Sequence, residues 1–158
     1  MRWTMKSGRR ITRVSALVFC ALITVSCTTA AQRAQKSKEA LDASLKVFNS
    51  DIRWQDYQGA AAFVAKSQRD RYWAEVEKMK RDTRVTDFEV RDVVFSDNDR
   101  LVRATVHYSY WRLDSPVLRS VDLTQRWRRL PGDKGMWTVS QTGFRKLIGD
   151  SGGKTGQD

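Results

Sequence analysis

The chain has few of the residues that form disulfides, metal sites or nucleophilic centres. Its 158 residues include only two cysteines, one histidine and two prolines. Both cysteines, Cys20 and Cys27, lie near the amino terminus, so the remainder can form no internal disulfide and must be stabilised by burying apolar surface. One histidine, His107, and no acidic cluster at ligand spacing predict that no metal is bound.

Motifs for cofactors and covalent catalysis are also missing. The sequence has no Gly-rich phosphate loop, no Gly-x-Ser-x-Gly elbow and no Cys–His pair. The nine glycines fall mostly in the turns and the carboxyl-terminal tail. We therefore predict no cofactor and find no set of residues typical of a catalytic site.

The amino-terminal segment is basic and then apolar. Residues 1–13 carry five Arg or Lys and no acid, and residues 14–26 are largely apolar. A membrane-spanning helix needs roughly 20 apolar residues, so this run has the length of a signal peptide. Three interpretations stay open: a lipoprotein signal ending before Cys27, a secretory signal cut after Ala30 or Ala31, and an uncleaved apolar anchor.

The order of basic residues, apolar run, small residue and cysteine resembles the signal and lipobox of a bacterial lipoprotein. Ser26 fits the small position before Cys27, whereas Thr24 stands where a lipobox usually has Leu. The resemblance implies that Cys27 is acylated, and stable anchoring takes two or more acyl chains. Thr28, rather than Asp, after Cys27 resembles lipoproteins of the outer membrane, so the domain is expected to face the periplasm.

The charge balance indicates an anionic partner. The whole chain has a net charge of +11, to which the first 26 residues contribute five bases. An exported protein seldom meets nucleic acid, so we predict no nucleic-acid partner. The excess positive charge instead favours anionic phospholipid or lipopolysaccharide, besides the membrane contact through the amino-terminal lipid.

Periodicity divides the chain into four segments: a signal peptide at 1–26, a polar tether at 27–37, a domain at 38–146 and a disordered tail at 147–158. Within the domain, Leu41, Leu45, Phe48 and Ile52 predict a helix from Lys38. Asp56 is expected to open a short helix, and Ser67 to cap a third that ends near residues 81–83. On this third helix the apolar face is Tyr72, Val76 and Met79, and the charged residues, Glu75 among them, lie elsewhere.

The period changes from 3.6 to 2 after Val85, which predicts strands. The inward rows are expected to be Phe88, Val90 and Val94; then Val102, Ala104, Val106, Tyr108 and Tyr110; then Val117, Val121, Leu123 and Trp127; and finally Trp137, Val139 and Gln141. Polar turns at 97–99, 114–116 and 131–135 separate the strands. Helices followed by consecutive strands predict an α+β fold, with helices on one face of a curved four-stranded antiparallel sheet.

Over about Leu41 to Phe144 this pattern resembles the NTF2-like superfamily, also called SnoaL-like. The residues that carry the resemblance are Trp54-x-Asp56-Tyr57 with Ala60, Ala61, Phe63 and Val64, and later Gln125-x-Trp127-Arg128 and Trp137-Thr138-Val139-Ser140. The resemblance implies a cone of helices over a sheet, with a pocket inside. Its enzymes often use a pocket Asp or His as a base, which suggests a carboxylate pointing into the cone.

Three groups of residues are candidates for function. Aromatic residues could line the pocket or fill the core: Trp54, Tyr57, Phe63, Tyr108, Tyr110 and Trp127, together with Tyr72 and Phe88. Asp92 is in phase with Phe88 and Val90, so it is a possible general base unless a bulge or an ion pair at the sheet edge places it outside. The third group lies on the opposite face of the sheet, the face that also carries His107. Its members, Trp111, Arg126 and Arg128, could contact lipid headgroups or a protein, or form a solvated surface.

Three functions follow from these candidates. The favoured hypothesis is a non-enzymatic lipoprotein of the cell envelope whose domain binds another protein or itself. The alternatives are a protein that binds a small apolar ligand in the cone, and a SnoaL-like enzyme that uses Asp92. An open cavity near Asp92 would favour the alternatives, and a filled core would favour the first.

Overall fold

A computed structural model describes residues 12–96, 100–131 and 136–149, with side chains from residue 31 onward. Four helices and four strands follow one another: α1 (Thr12–Arg53), α2 (Tyr57–Ala61), α3 (Arg69–Asp82), β1 (Thr83–Ser96), β2 (Leu101–Arg112), β3 (Ser115–Arg129), β4 (Trp137–Gln141) and α4 (Arg145–Gly149). A 3₁₀ turn, Lys66–Gln68, precedes α3. The chain divides into two compact units, Met1–Lys38 and Glu39–Asp158.

Helix α1 supplies the apolar stripe predicted from the sequence. Leu41, Leu45, Phe48 and Ile52 are each at most 1% exposed, as the i, i+4, i+7, i+11 spacing requires of one buried helix face. The helix begins at Thr12 rather than Lys38, so residues 27–37, predicted as a tether, are helical. Within the described residues no helix has the length and apolarity needed to cross a membrane.

The two helices that follow α1, α2 and α3, differ in how they begin. Asp56 caps α2: its carboxylate accepts a hydrogen bond from the Gly59 amide at 2.9 Å, as predicted. Helix α3 begins instead after Gln68, with no side-chain cap. The expectation for Ser67 is wrong because this residue lies in the preceding 3₁₀ turn.

The strands form one antiparallel sheet in the order β1-β2-β3-β4. Its inward row on β2 is fully buried from Val102 to Tyr110, and it packs in one core with the stripe of α1 and the face of α3 formed by Tyr72, Val76 and Met79. The predicted class is confirmed: helices pack on a four-stranded antiparallel sheet. This is the architecture that the resemblance to the NTF2-like superfamily implies.

The inward rows of β1 and β3 differ from the prediction at their ends. Val94 is 39% exposed, because bulges in β1 between Val85 and Asp87 and between Val90 and Asp92 change which residues face the core. Val117 is 58% exposed, in a stretch of β3 whose neighbours Pro116 and Leu118 are also exposed. The last predicted inward residue of β4, Gln141, is exposed as well.

Helix α4 was not predicted. It follows a turn at Gly143, whose φ of +78° favours glycine and whose added Cβ would lie 2.9 Å from the Thr124 carbonyl oxygen. Phe144 and Leu147 are fully buried in the same core. Leu147, assigned to the tail from sequence, therefore belongs to the domain, and residues 150–158 lie outside the described residues.

Candidate functional site

Most of the aromatic residues considered for a pocket lie in the packed core. The ring of Trp127 is edge-on to those of Phe48 and Phe63, with centroids 5.5 and 6.4 Å away. Such edge-to-face contacts stabilise aromatic clusters beyond the area they bury. Phe63 and Phe88 are half-buried. Five of the candidates are at most 7% exposed: Tyr57, Tyr72, Tyr108, Tyr110 and Trp127.

Trp54 lies elsewhere, contrary to the expectation that it lines the pocket or fills the core with the other aromatic residues. It directly follows the end of α1 and is 72% exposed. The next residue, Gln55, has a positive φ of 63°, so the chain turns sharply at this point. The Arg53 guanidinium lies 5.3 Å from the centre of the Trp54 ring, a cation–π contact at the surface.

A buried hydrogen-bond network joins α1 to the middle of the sheet. Asn49 Oδ1 accepts from the Tyr108 hydroxyl and, at 2.7 Å, from Gln125 Nε2. The indole of Trp127 donates to Gln125 Oε1 at 3.1 Å, and Asn49 Nδ2 donates to the Leu45 carbonyl at 2.7 Å. Burial raises the pKa of Tyr108, so its hydroxyl stays protonated. These polar groups satisfy one another, and this part of the interior is filled by protein.

The sequence analysis named Tyr108 and Trp127 as candidates but gave no such role to the two amides, although Gln125 stands in the Gln125-x-Trp127-Arg128 motif. Gln125 could have been found, because it is in phase with Leu123 and Trp127 on β3, and its side chain is fully buried. Asn49 stands four residues after Leu45 and three before Ile52, so its spacing also places it on the buried stripe of α1. Its hydrogen-bond partners become visible only when α1 is placed against β2 and β3.

Asp92 does not point into the core. The register passes from Val90 opposite Val106 to Asp92 opposite Thr105, with Arg91 as the extra residue of a bulge. Both Arg91 and Asp92 are exposed, and Arg91 binds Glu89 and Asp122 on the outer face. The bulge thus moves the Asp92 carboxylate from the predicted inward phase to the solvent side, which removes the candidate general base.

A carboxylate that was assigned to the charged face of α3 is instead largely buried. The side chain of Glu75 is 12% exposed; its Oε1 lies 3.0 Å from Arg71 Nε, and its Oε2 accepts from the Thr142 hydroxyl at 2.8 Å. Arg145 Nε, on α4, lies 3.8 Å from Glu75 Oε1. The signal was present, since Glu75 stands three residues after Tyr72 on the apolar side. This group connects α3 to the start of α4.

The outer face of the sheet carries an ion network at its centre. His107 Nδ1 lies 2.7 Å from Asp122 Oδ1, and Arg91 Nη1 lies 3.4 Å from the same oxygen. The hydrogen bond with His107 lowers the pKa of Asp122, with Arg91 and Lys146 adding to the effect. His107 faces outward as predicted, and the pair lies on open sheet surface.

The surface candidates Trp111, Arg126 and Arg128 share this outer face but not one location. Trp111 is opposite Leu118, while Arg126 is opposite Arg103. Leu118 and Arg126 are eight positions apart on β3, a distance of about 26 Å at the usual rise of a strand. The outer face thus has an apolar end and a basic end, with the His107 network between them.

Two features of the sequence fall outside these observations. The backbone of α1 includes residue 27, but the Cys27 side chain lies outside the described residues, and so does the basic segment before Thr12. Among the residues that the structure does describe, no group of three or more His, Cys, Asp or Glu side chains is placed to hold a metal.

Comparisons with known proteins give similarity only among solved structures. No protein-family model and no curated protein matches the chain. A crystal structure from Xanthomonas campestris pv. campestris, whose assignment as a polyketide cyclase is provisional, is 13% identical, with a TM-score of 0.46 over 72% of this chain and 97% of that one. A protein of unknown function with a cystatin-like fold, from Nostoc punctiforme, is 12% identical, with a TM-score of 0.43 over 65% of this chain and 84% of that one.

Proposed function

We propose that this chain is a lipoprotein of the bacterial outer membrane, anchored through an acylated Cys27, and that its domain binds a protein in the periplasm without catalysing a reaction. The partner is either an envelope protein or a second copy of the chain. The anchor rests on the sequence of residues 1–28. The binding role rests on the distribution of apolar and polar groups in the folded domain.

The observation that carries the binding role is the apolar end of the sheet, defined as Trp111 and Leu118 on the outer face together with Leu113 and Val117 of the same hairpin, Val117 being on the opposite face of β3. In that order, the four side chains are 37%, 64%, 47% and 58% exposed, and they lie at the hairpin joining β2 to β3. Trp111 and Leu118 are directly opposite each other. Large apolar residues gathered at one exposed place are typical of protein interfaces, in which Trp is enriched.

The interior supports binding rather than catalysis. The hydrogen-bond network of Asn49, Tyr108 and Gln125 leaves these groups paired with each other, and Asp92 is on the solvent side. A general base must reach its substrate in a site that positions it. The chemistry available to a partner is therefore on the outer surface.

Photo-crosslinking in intact cells tests the protein partner. A photoreactive amino acid placed at Leu118 should yield a crosslinked protein, identified by mass spectrometry, while the same amino acid at Lys78 on α3 should not. Both positions are exposed, so the comparison separates the apolar end from general surface. Crosslinks to lipid alone, or equal protein crosslinks from both positions, would contradict a protein interface at this end.

Metabolic labelling tests the anchor separately. A clickable palmitate analogue should label the protein, and Cys27→Ser should abolish the label, whereas Cys20→Ser should leave it unchanged. Fractionation should place the labelled protein in the outer membrane. Equal labelling of the Cys27→Ser protein, or mature protein free in the periplasm, would refute the anchor without bearing on the crosslinking result.

A second candidate function, binding of a small apolar molecule, is favoured by a groove outside the filled interior. The groove has a volume of about 720 Å³, and its apolar wall includes Val64, Leu130 and Met136. This volume is within the range of small-molecule sites. A small molecule that co-purifies with the protein, and is lost from a Met136→Glu variant, would support this function.

A further inference from the structure

The basic end of the outer face contains a groove lined by arginines. It has a volume of about 340 Å³, and its walls include Arg103, Arg126 and Arg128 with the hydroxyl-bearing residues Ser96 and Ser140. The three arginines are exposed, and Arg126 and Arg128 stand two residues apart, on the same face of β3. We call this site the arginine groove.

The placement of two of these arginines is unfavourable for the protein by itself. Arg103 on β2 is directly opposite Arg126 on β3. Side chains in such a cross-strand pair have their Cβ atoms about 4.5–5.5 Å apart, and like charges at this separation destabilise a sheet. A bound anion would turn this repulsion into attraction toward a common centre.

No acid in the described residues neutralises the groove. At the centre of the same face Arg91 pairs with both Glu89 and Asp122, whereas Arg103, Arg126 and Arg128 form no ion pair with any described residue. Asp92, opposite Thr105, is the acid nearest to Arg103 along the register, and it forms no ion pair either. Among the described residues, charge is therefore compensated by ion pairs in the middle of the sheet and not at this end.

We infer that the arginine groove binds a phosphate group. Guanidinium groups form paired, charge-assisted hydrogen bonds with phosphate oxygens, and three guanidinium groups line this groove. Phosphate could reach the groove as the headgroup of an anionic lipid or as a free ion. The site is separate from the apolar end and does not depend on the proposed protein partner.

Titration of the full chain in a neutral detergent tests this site. The probes are dihexanoylphosphatidylglycerol, dihexanoylphosphatidylcholine and inorganic phosphate, with binding followed by amide chemical shifts. The glycerol lipid or inorganic phosphate should shift the Arg103 and Arg126 amides, and the zwitterionic choline lipid should bind about tenfold more weakly. Tighter binding of the glycerol lipid identifies a headgroup site, and equal binding of inorganic phosphate identifies a phosphate-ion site.

Variants distinguish this site from general positive charge. Arg103→Gln with Arg126→Gln should weaken binding about tenfold or more, because two charge-assisted contacts are lost. The control, Lys78→Gln with Arg81→Gln on α3, removes the same charge and should change affinity less than about twofold. The groove variant should also show a higher urea midpoint, since the cross-strand repulsion is gone; this confirms that it folds.

Three results would overturn the inference. The first is equal loss of affinity in the groove variant and the control, which would mean that only net charge matters. The second is that neither dihexanoylphosphatidylglycerol nor inorganic phosphate shifts the Arg103 and Arg126 amide signals. The third is that a polyglutamate peptide binds more tightly than dihexanoylphosphatidylglycerol and inorganic phosphate do, which would identify an acidic protein surface as the ligand.

Discussion

Asn49 and Gln125 each make three hydrogen bonds in the buried network, and Asn49 supplies the acceptor that Tyr108 and Gln125 share. Its side-chain oxygen accepts from both Tyr108 and Gln125, and its nitrogen donates to the Leu45 carbonyl. Removing this shared acceptor leaves the Tyr108 hydroxyl proton without an acceptor, and leaves Gln125 Nε2 only its long hydrogen bond of 3.4 Å to the Tyr108 oxygen. Each buried group that loses its acceptor costs about 1–3 kcal/mol. Removing one donor leaves the remainder of the network paired. The energetic weight of the network therefore falls on the residue that sequence reasoning missed.

This difference gives a prediction about two single variants. Asn49→Ala should lower the free energy of unfolding by about 3 kcal/mol or more, because the Tyr108 hydroxyl and the Gln125 amide lose their acceptor. Tyr108→Phe should cost only about 1 kcal/mol, since Gln125 still donates to Asn49. Urea denaturation followed by tryptophan fluorescence measures both. Equal losses would mean that Asn49 does not organise the network.

Asp122 gives a prediction about pH. Its pKa is lowered in the folded protein, chiefly by the hydrogen bond with His107, so its contribution to stability is present above the unfolded pKa and is lost as pH falls through the folded value. The wild-type urea midpoint should therefore fall below about pH 4, and Asp122→Asn should remove part of that fall. An unchanged fall of the urea midpoint in the Asp122→Asn variant would refute the assignment.

Among the elements, β1 is the strand whose inward residues were predicted wrongly from the alternation of apolar and polar residues. The bulge at Arg91 is the reason. Side chains alternate with a period of two, so one extra residue reverses the phase of everything after it. The inward residues are Val90 before the bulge and Val93 and Phe95 after it, as their burial and register show. Alternation succeeded on β2, where the buried row from Val102 to Tyr110 has no interruption.

The bulge predicts different effects for two single-residue deletions. Without Arg91 the strand alternates regularly, with Val90, Val93 and Phe95 still inward, so the protein should fold and lose no more than about 1–2 kcal/mol for the broken ion pairs. Without Val93 the strand must either turn Asp92 toward the core or expose Phe95. We expect this deletion to cost several kcal/mol more.

Urea denaturation and the dispersion of amide signals measure these deletions. Each variant lacks one residue of the same strand, so they are matched controls for one another. Similar losses from the two deletions would show that the strand does not keep the register described here. A stable protein without Val93 would show that the bulge can move along β1.

On the scale of the whole molecule, local periodicity was enough to predict the layers but not their extent. The helices, the strands and the order of the sheet follow from patterns within ten or so residues. The exposed Val117 and Leu118 depend instead on how far β3 runs along the sheet, which a local pattern does not record. Arg103 and Arg126 become neighbours only through the register of β2 and β3. The two proposed binding surfaces therefore required the assembled sheet.

The carboxyl-terminal end of the domain is another feature that local periodicity does not predict. Residues 145–149 are too few for a periodic signal, yet Phe144 and Leu147 are fully buried. A chain ending at Lys146 loses the burial of Leu147 and Ile148, so its free energy of unfolding should fall by about 2–4 kcal/mol. A chain ending at Gly149 keeps both and should match the full chain in urea denaturation. Equal stability of the two truncated chains would mean that α4 does not contribute to the core, and the domain would then end before residue 147.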